Sequence, residues 1–206
     1  MKSLFRLDSP ILNFLSRMYD IAYLNLLCVL GCIPIITIST SVTALYYCML
    51  KISREKDCSL TKMFFHSYFQ NMKQGIKLTM IVIATGLFLY VDIQACKMMS
   101  NVLGKIINLV LFFLLIIWGM IVSYIFPLLA QFENTIKNII RNAFLLSINH
   151  FFYTIIILFL NAIPVLLFFL LPHVFLMSVP LWLLFGTAAI AYINARSFVK
   201  IFDKYM

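Results

Sequence analysis

Long stretches without charge are the feature that most constrains this chain. Five apolar runs contain between them a single charged side chain, Asp92, and cover residues 21–50, 78–96, 106–130, 148–171 and 174–195. A helix needs about 20 apolar residues to cross about 30 Å of hydrocarbon. The sequence therefore predicts an all-α, polytopic membrane helix bundle, with residues 1–206 forming a single membrane domain.

Composition and charge both agree with lipid as the solvent. The chain is 64% hydrophobic and 11% charged, whereas soluble domains are about 45–50% apolar and about 25% charged. A net charge of +9 would suggest nucleic acid in a soluble protein, but no nucleic-acid recognition motif accompanies it. Lys and Arg collect at the cytoplasmic ends of membrane helices, beside anionic headgroups. We therefore expect membrane lipid as a partner and no nucleic acid.

The first apolar run is too long for one crossing. As a continuous helix its roughly 30 residues would extend about 45 Å. Pro34 removes a backbone donor and clashes with the preceding turn, and a polar, β-branched patch follows it. We expect a hairpin. In this hypothesis the membrane run 12–50 is broken at residues 34–39, with helices over about 10–33 and 40–54.

The distribution of basic residues favours the hairpin. A single crossing would place the basic N-terminal segment and the basic segment after residue 50 on opposite sides. With a hairpin, fourteen of the sixteen basic residues share one side, and only Lys97 and Lys105 lie on the other. The positive-inside rule then places both termini in the cytoplasm. The alternative is a five-span protein with its N-terminus outside.

Residues 59–75 are too polar to span a membrane, yet they are strongly patterned. On a helical projection the apolar and basic side chains separate onto opposite faces. The apolar row contains Leu60, Phe64, Tyr68 and Met72. We expect a separate cytoplasmic amphipathic helix whose apolar face lies on the membrane surface. The alternative is a docking element for a partner protein, with Phe64, Asn71 and Lys73 as its candidate contacts.

Polar residues within the apolar runs are candidate ligand or packing positions. Asn25 and Asn161 lie deepest, and a buried amide needs partners, so interhelical hydrogen bonding is the simpler role and substrate contact the alternative. At Pro34 and Thr37 the helix break frees backbone carbonyls. Such groups are tolerated at membrane depth only inside protein or along a cavity. If the chain binds a small molecule, we expect the site at this break.

Catalytic and metal-binding patterns are absent from the sequence. It contains no Walker loop, GxSxG, HExxH or dinucleotide fingerprint. Neither His150 nor His173 has a second ligand or a carboxylate at helical spacing. Cys28 and Cys32 are four residues apart, which is not a redox or metal motif. We predict no enzymatic activity, no metal and no cofactor.

Four segments, taken in order, carry a family resemblance. They are YLNLLCVLGCIPIITISTSVTALYYCMLK (residues 23–51), FFHSYFQNMKQ (64–74), YIFPLLAQFENTIKNIIRNAFLLSINHFFYTI (124–155) and AYINARSFVKIFDKY (191–205). Together they resemble the YesL family of bacterial membrane proteins, which is defined by a domain of unknown function. The matching positions include Asn25, Pro34, Thr37, Asn71, Lys73, Pro127 and Asn142. Met72 stands where relatives commonly carry an aromatic residue.

The resemblance implies a location and a functional context. Members of the family are polytopic membrane proteins of Gram-positive-type bacteria, often encoded beside carbohydrate-uptake ABC transporters and glycan-degrading enzymes. The family has no catalytic residues to carry over. The leading prediction is a non-enzymatic protein of the bacterial cell membrane that assists or regulates a carbohydrate-uptake ABC transport system by contact with its subunits. The alternative is a small stand-alone transporter or channel with a site near Pro34.

Overall fold

The computed structural model describes residues 10–54, 59–98 and 101–205, and over these residues the fold is all-α, without a strand. The helices are α1 (Pro10–Gly31), α2 (Ile38–Ser53), α3 (Leu60–Lys97), α4 (Val102–Gln131), α5 (Ile136–Asn149), α6 (Phe151–Leu170), α7 (Pro172–Leu181) and α8 (Thr187–Phe202). A 3₁₀ turn (Ile35–Thr37) precedes α2. A π-helical segment (Trp182–Gly186) joins α7 to α8.

Five helical stretches in the described residues are long and apolar enough to cross a membrane. They are Ile35–Ser53, Leu60–Lys97, Val102–Gln131, Phe151–Leu170 and Pro172–Phe202. In the most apolar parts of three of them, including Phe151–Leu170, only 11% of the residues are buried inside the protein. Apolar surface this extensive is typical of a membrane-facing protein. The predicted membrane helix bundle is confirmed.

The predicted break of the first apolar run is also confirmed. α1 ends at Gly31, and Pro34 has an extended backbone (φ −76°, ψ 116°) before the 3₁₀ turn. α2 then returns alongside α1, since Arg17 of α1 donates a 2.8 Å hydrogen bond to the carbonyl of Ile52 near the end of α2. The two helices therefore form a hairpin. α2 begins at Ile38, slightly earlier than the sequence suggested.

α2 lies at the centre of the bundle. About two thirds of its apolar window, 67%, is buried, compared with 22% or less in the other candidate spans of the described chain. It packs against α1, α3, α4 and α8. At the centre of this packing, Phe198 of α8 meets Tyr124 of α4 edge to face at 5.0 Å and Tyr46 of α2 in the same manner at 6.0 Å. Edge-to-face pairs of this kind stabilise a core beyond the area that they bury.

α3 corrects the prediction of a separate interfacial helix at residues 59–75. It is one continuous helix of 38 residues, about 57 Å long at about 1.5 Å per residue, and it contains both the amphipathic segment and the span at 78–96. No proline interrupts the junction. Gly75 at the junction allows close contact with the hairpin, because a Cβ there would lie 3.2 Å from the Cα of Thr40.

Leu60, Phe64 and Tyr68 of the apolar row pack against the protein core rather than on a membrane surface, whereas Met72 of the same row is exposed. Phe64 is only 1% exposed, and its ring stacks on Tyr68 with centroids 6.2 Å apart. A Cβ added at Gly31 of α1 would lie 3.2 Å from the Tyr68 ring. A protein surface and a membrane surface both bury an apolar row, so the sequence pattern fits either one.

Two elements were outside the sequence-based expectations. α5 begins at Ile136, and the side chain of Thr135 just before it accepts a hydrogen bond from the Asn138 backbone N–H, as an N-cap residue does. Its buried residues Ile139, Ala143 and Ser147 recur every four positions, so one narrow face of α5 packs inward. The second element is the π-helical segment, Trp182–Gly186.

One end of the bundle collects several helix termini and many basic residues. Arg54, just after α2, forms a 2.9 Å ion pair with Asp203 and donates a 3.0 Å hydrogen bond to Gln131 at the end of α4. His150, just before α6, lies 3.2 Å from the hydroxyl of Tyr205. We call this the basic end; its basic residues include Arg17, Arg54, Arg196, Lys200 and Lys204. Lys2, Arg6 and Lys56, which contribute to the predicted charge asymmetry, lie outside the described residues.

Candidate functional site

Asn25 of α1 is bound to the start of the last helix. Its side chain is fully buried. The amide nitrogen donates to the carbonyls of Trp182 (3.1 Å) and Leu183 (2.7 Å). The amide oxygen accepts from the Thr187 hydroxyl (2.6 Å) and from the Ala188 backbone N–H (2.9 Å). These four bonds use the two donors and two lone pairs of the amide.

The arrangement gives Asn25 a packing role. A π-helical turn departs from the regular i to i−4 bonding of an α-helix, and the side chain of Asn25 bonds to backbone groups of this irregular region. Gly186 ends the π-helical segment, and a Cβ there would overlap the indole ring of Trp182. The π-helical segment therefore depends on a glycine within it and on an amide from α1. The interhelical bonding expected for Asn25 is present.

At the Pro34 break, the side chain of Thr37 bonds to nearby backbone carbonyls. Oγ1 of Thr37 lies 2.9 Å from the carbonyl oxygen of Gly31 and 2.8 Å from that of Pro34. The Thr37 hydroxyl thus lies within hydrogen-bond distance of both carbonyls, and the Pro34 carbonyl also accepts the backbone N–H of Thr37 at 2.9 Å. Ile33 and Ile35 beside it are 73% and 68% exposed. The turn presents an apolar surface, and Asn25 and Thr37 bond to different parts of the chain.

Asn161, the other deep amide, belongs to a second polar network. Its nitrogen donates to the Ser123 hydroxyl of α4 (3.1 Å), and its oxygen accepts from Asn194 of α8 (3.0 Å). Asn194 also donates to the Tyr46 hydroxyl of α2, at 3.4 Å. Asn194 is fully buried, and its own amide oxygen has no hydrogen-bond partner. The network joins four helices around one buried amide with spare acceptor capacity.

A cavity of about 620 Å³ adjoins this network between α2, α4 and α6. Tyr46, Ser123 and Asn161 supply its polar groups, and the remaining lining is apolar, with Trp118 at one side. Its volume lies within the range of small-molecule pockets, about 300–1,000 Å³. Sequence reasoning identified Asn161 but not Tyr46, Ser123 or Asn194. Single Ser and Tyr residues in apolar spans give no signal, and Asn194 sits near the end of its run, where polar residues are expected.

The predicted docking residues of α3 fall into different environments. Phe64 is buried in the core, so its side chain is not available to a partner and its prediction as a docking residue is wrong. Asn71 donates back to the Ser67 carbonyl of its own helix at 3.0 Å. Lys73 is exposed. Of the three predicted docking residues, Lys73 is therefore the one whose side chain is exposed to a partner.

An exposed stripe on α3 carries the aromatic residues that sequence reasoning did not assign to docking. Phe65 and Phe69 are 43% and 65% exposed, and their rings stack with centroids 6.2 Å apart and an interplanar angle of 23°. Lys62, His66 and Lys73 are exposed on the same stripe at helical spacing. We call these five residues the α3 stripe. It combines apolar rings and basic groups on a rigid helix.

The cysteines and acidic residues that the structure describes form no cluster suited to a metal ion. Cys28, Cys32, Cys48 and Cys96 are free thiols, and Cys58 lies outside the described residues. In the described ranges, no three His, Cys, Asp or Glu side chains come close enough to hold a metal ion.

Residues 21–93 match the model of a family described as a protein of unknown function, DUF624. The match covers the second half of α1, all of α2 and nearly all of α3. It includes Asn25, Pro34, Thr37 and the α3 stripe. Comparison with curated proteins and with solved structures gives no match.

Proposed function

We propose that this chain is a non-enzymatic member of the YesL family that acts as an accessory or regulatory partner of a carbohydrate-uptake ABC transport system in the bacterial cell membrane. The observation that carries the proposal is the α3 stripe on a helix about 57 Å long. The hydrocarbon core of a bilayer is only about 30 Å thick. An untilted α3 therefore extends well beyond the lipid and offers its polar half to a partner.

The polar half of α3 lies toward the basic end. Near its start, Thr61 lies 2.8 Å from the hydroxyl of Tyr23 on α1. Further along, Gln70 donates a 3.0 Å hydrogen bond to Glu133, just after α4. We propose that the basic end faces the cytoplasm, because basic residues are retained on that side. The α3 stripe would then meet the cytoplasmic face of the transporter's membrane subunits.

Photo-crosslinking from two matched phenylalanines tests this proposal. A photoreactive phenylalanine analogue is placed at Phe69 in the polar half of α3 or at Phe88 in the apolar half, which are 65% and 68% exposed. Cells growing on carbohydrate are irradiated, and adducts are identified by mass spectrometry. We expect a permease subunit of an ABC transporter from position 69 and lipid adducts from position 88.

A second experiment removes the proposed contact between the α3 stripe and the transporter subunit. Phe69→Ala should reduce recovery of the transporter subunit from mild detergent, whereas Phe88→Ala should leave it unchanged, since both variants lose the same side chain from the same helix. Adducts from position 69 that contain no transporter subunit would contradict the proposal. Equal recovery with the two variants would contradict the assignment of the stripe.

A second function, transport by this chain alone, is favoured by the cavity beside Asn161. The cavity is lined by the polar side chains of Tyr46, Ser123 and Asn161, whereas the hydroxyl of Thr37 at the Pro34 turn bonds to nearby backbone carbonyls. Flux of sugars into vesicles that contain only the purified chain would support this function. Loss of flux with Asn161→Leu, but not with Thr37→Val, would place the path at the cavity. Absence of flux above protein-free vesicles would exclude it.

A further inference from the structure

We propose that a groove between α1 and α8 at the basic end binds one anionic phospholipid. The groove has a volume of about 490 Å³. Two arginines line it, Arg17 from α1 and Arg196 from α8, together with apolar residues of both helices. Basic pockets between membrane helices are typical binding sites for anionic headgroups.

The two arginines share one end of the groove because α1 and α8 are antiparallel. Deep in the bundle, Asn25 of α1 meets Thr187 and Ala188 of α8. Arg17 comes about two turns before Asn25, and Arg196 comes about two turns after Ala188. Both guanidinium groups therefore lie toward the basic end. A phospholipid whose phosphate is bound there would extend its acyl chains along the groove, toward Ile21 and Ala189.

Each guanidinium is positioned by its own contact. Arg17 donates to the Ile52 carbonyl at 2.8 Å. Arg196 donates to the Tyr192 hydroxyl at 2.8 Å, and its guanidinium carbon lies 4.9 Å from the centre of the Tyr192 ring. A guanidinium has five N–H donors, so both retain donors for a phosphate. Asp20, one turn after Arg17, offsets part of the charge on the α1 side.

Apolar side chains line the groove beyond the arginines. Met18 and Ile21 contribute from α1, and Ala189 and Ile193 from α8. Ile193 is 50% exposed and Met18 is 36% exposed, so both present apolar surface that an acyl chain can cover. Ala189 leaves room because its side chain is small. A cationic entrance followed by an apolar channel matches a phospholipid better than a soluble anion, which would use only the entrance.

Native mass spectrometry of the purified full chain tests the site. The protein in detergent is titrated with phosphatidylglycerol or with phosphatidylcholine of identical acyl chains. We expect one lipid to bind with preference for phosphatidylglycerol. Arg196→Gln should weaken binding of phosphatidylglycerol by about fivefold and should leave phosphatidylcholine unaffected. Arg196 is exposed, so this variant is expected to fold.

Two further variants distinguish binding at this groove from general attraction of anionic lipid to a basic protein. Lys105→Gln removes an equal charge from an exposed residue at the start of α4 and should not change the affinity. Ala189→Phe fills the groove without changing the charge and should weaken binding of both lipids. Its thermal unfolding is compared with that of the wild type, so that misfolding is recognised.

The results that overturn the proposal are specific. Equal affinity of the wild type for the two lipids would exclude an anionic site. Equal effects of Arg196→Gln and Lys105→Gln would show diffuse attraction only. Displacement of the lipid by inorganic phosphate at equal concentration would show that the acyl chains contribute nothing.

Discussion

The side-chain oxygen of Asn25 accepts a 2.9 Å hydrogen bond from the backbone N–H of Ala188, a residue 163 positions later. The bond joins the first described helix to the last one at the point where the π-helical segment becomes α8. Because carbonyls of Trp182 and Leu183 bond to the same side chain, a single residue of α1 stabilises the irregular start of α8.

Asn25→Leu should destabilise the protein by about 2 kcal/mol. Four hydrogen bonds are lost, and side-chain hydrogen bonds between membrane helices contribute about 0.6 kcal/mol each on average. The change is measured as a lower thermal midpoint in detergent, followed by circular dichroism. Asn101→Leu, at an exposed amide before α4, is the matched control and should unfold like the wild type. Equal midpoints for the two variants would show that the bonds to α8 are not formed.

Gly75→Ala should destabilise the contact between α2 and α3 by about 1–3 kcal/mol, as overpacking does. The added Cβ would lie 3.2 Å from the Cα of Thr40. The Cα is a backbone atom, so it cannot move aside by a change of rotamer as a side chain can. Gly119→Ala is the matched control, since its Cβ would meet Leu158 at an ordinary 3.5 Å. Helix propensity favours alanine in both variants. A Gly75→Ala protein as stable as Gly119→Ala would contradict the close contact.

Asn161 and Asn194 should be energetically coupled. In a double-mutant cycle with Asn161→Ala and Asn194→Ala, we expect a coupling free energy between about 0.6 kcal/mol, the average measured between membrane helices, and about 1.7 kcal/mol, the maximum. Unfolding in detergent and denaturant measures it. Asn161→Ala combined with Thr79→Ala is the control cycle, because these residues share no hydrogen-bond partner, and its effects should add. Additivity in both cycles would argue against the network.

The stability of the basic end should decrease in mild acid because of His150. Burial, together with the positive charge of Lys204, lowers the pKa of His150 below its ordinary value. The unfolded chain binds this proton at about pH 6.5. The contribution of His150 to stability is therefore present above about pH 6.5 and is lost as the pH falls through the lowered pKa of the folded state.

Thermal midpoints recorded from about pH 7 to about pH 5 test this dependence. The His150→Gln variant should lose part of the decrease that the wild type shows. His173→Gln, in α7, should retain the full decrease. A wild-type curve that matches the His150→Gln curve would contradict the predicted titration.

The membrane class, the hairpin and the interhelical hydrogen bonding of Asn25 were predictable because each follows from an energetic cost that arises at one place in the sequence. An unsatisfied polar group in lipid is expensive, so apolar runs indicate spans and Asn25 indicates an interhelical bond. Pro34 cannot continue a helix without losing a backbone bond, so the break is local as well. In these cases the residue that causes the structural feature lies at the feature itself, so the sequence alone reveals it.

The surroundings of α3 and of the π-helical segment were not predictable in this way. The periodicity around Phe64 indicates a buried row, but it does not say whether lipid or α2 covers it. The widened turn at Trp182–Gly186 depends on hydrogen bonds from the side chain of Asn25, which is distant in sequence. The cavity needs Tyr46, Ser123 and Asn161 from three helices, and no local pattern brings them together.

The continuity of α3 has a mechanical consequence. A helix without a hinge moves as a rod, so a tilt of its polar half is expected to turn the apolar half in the opposite direction about the contact at Gly75. Trp118 of α4 donates a 2.9 Å hydrogen bond to Thr85 in that apolar half and would be displaced with it. Contact at the α3 stripe would in this way reach the opposite side of the bilayer without any change in secondary structure.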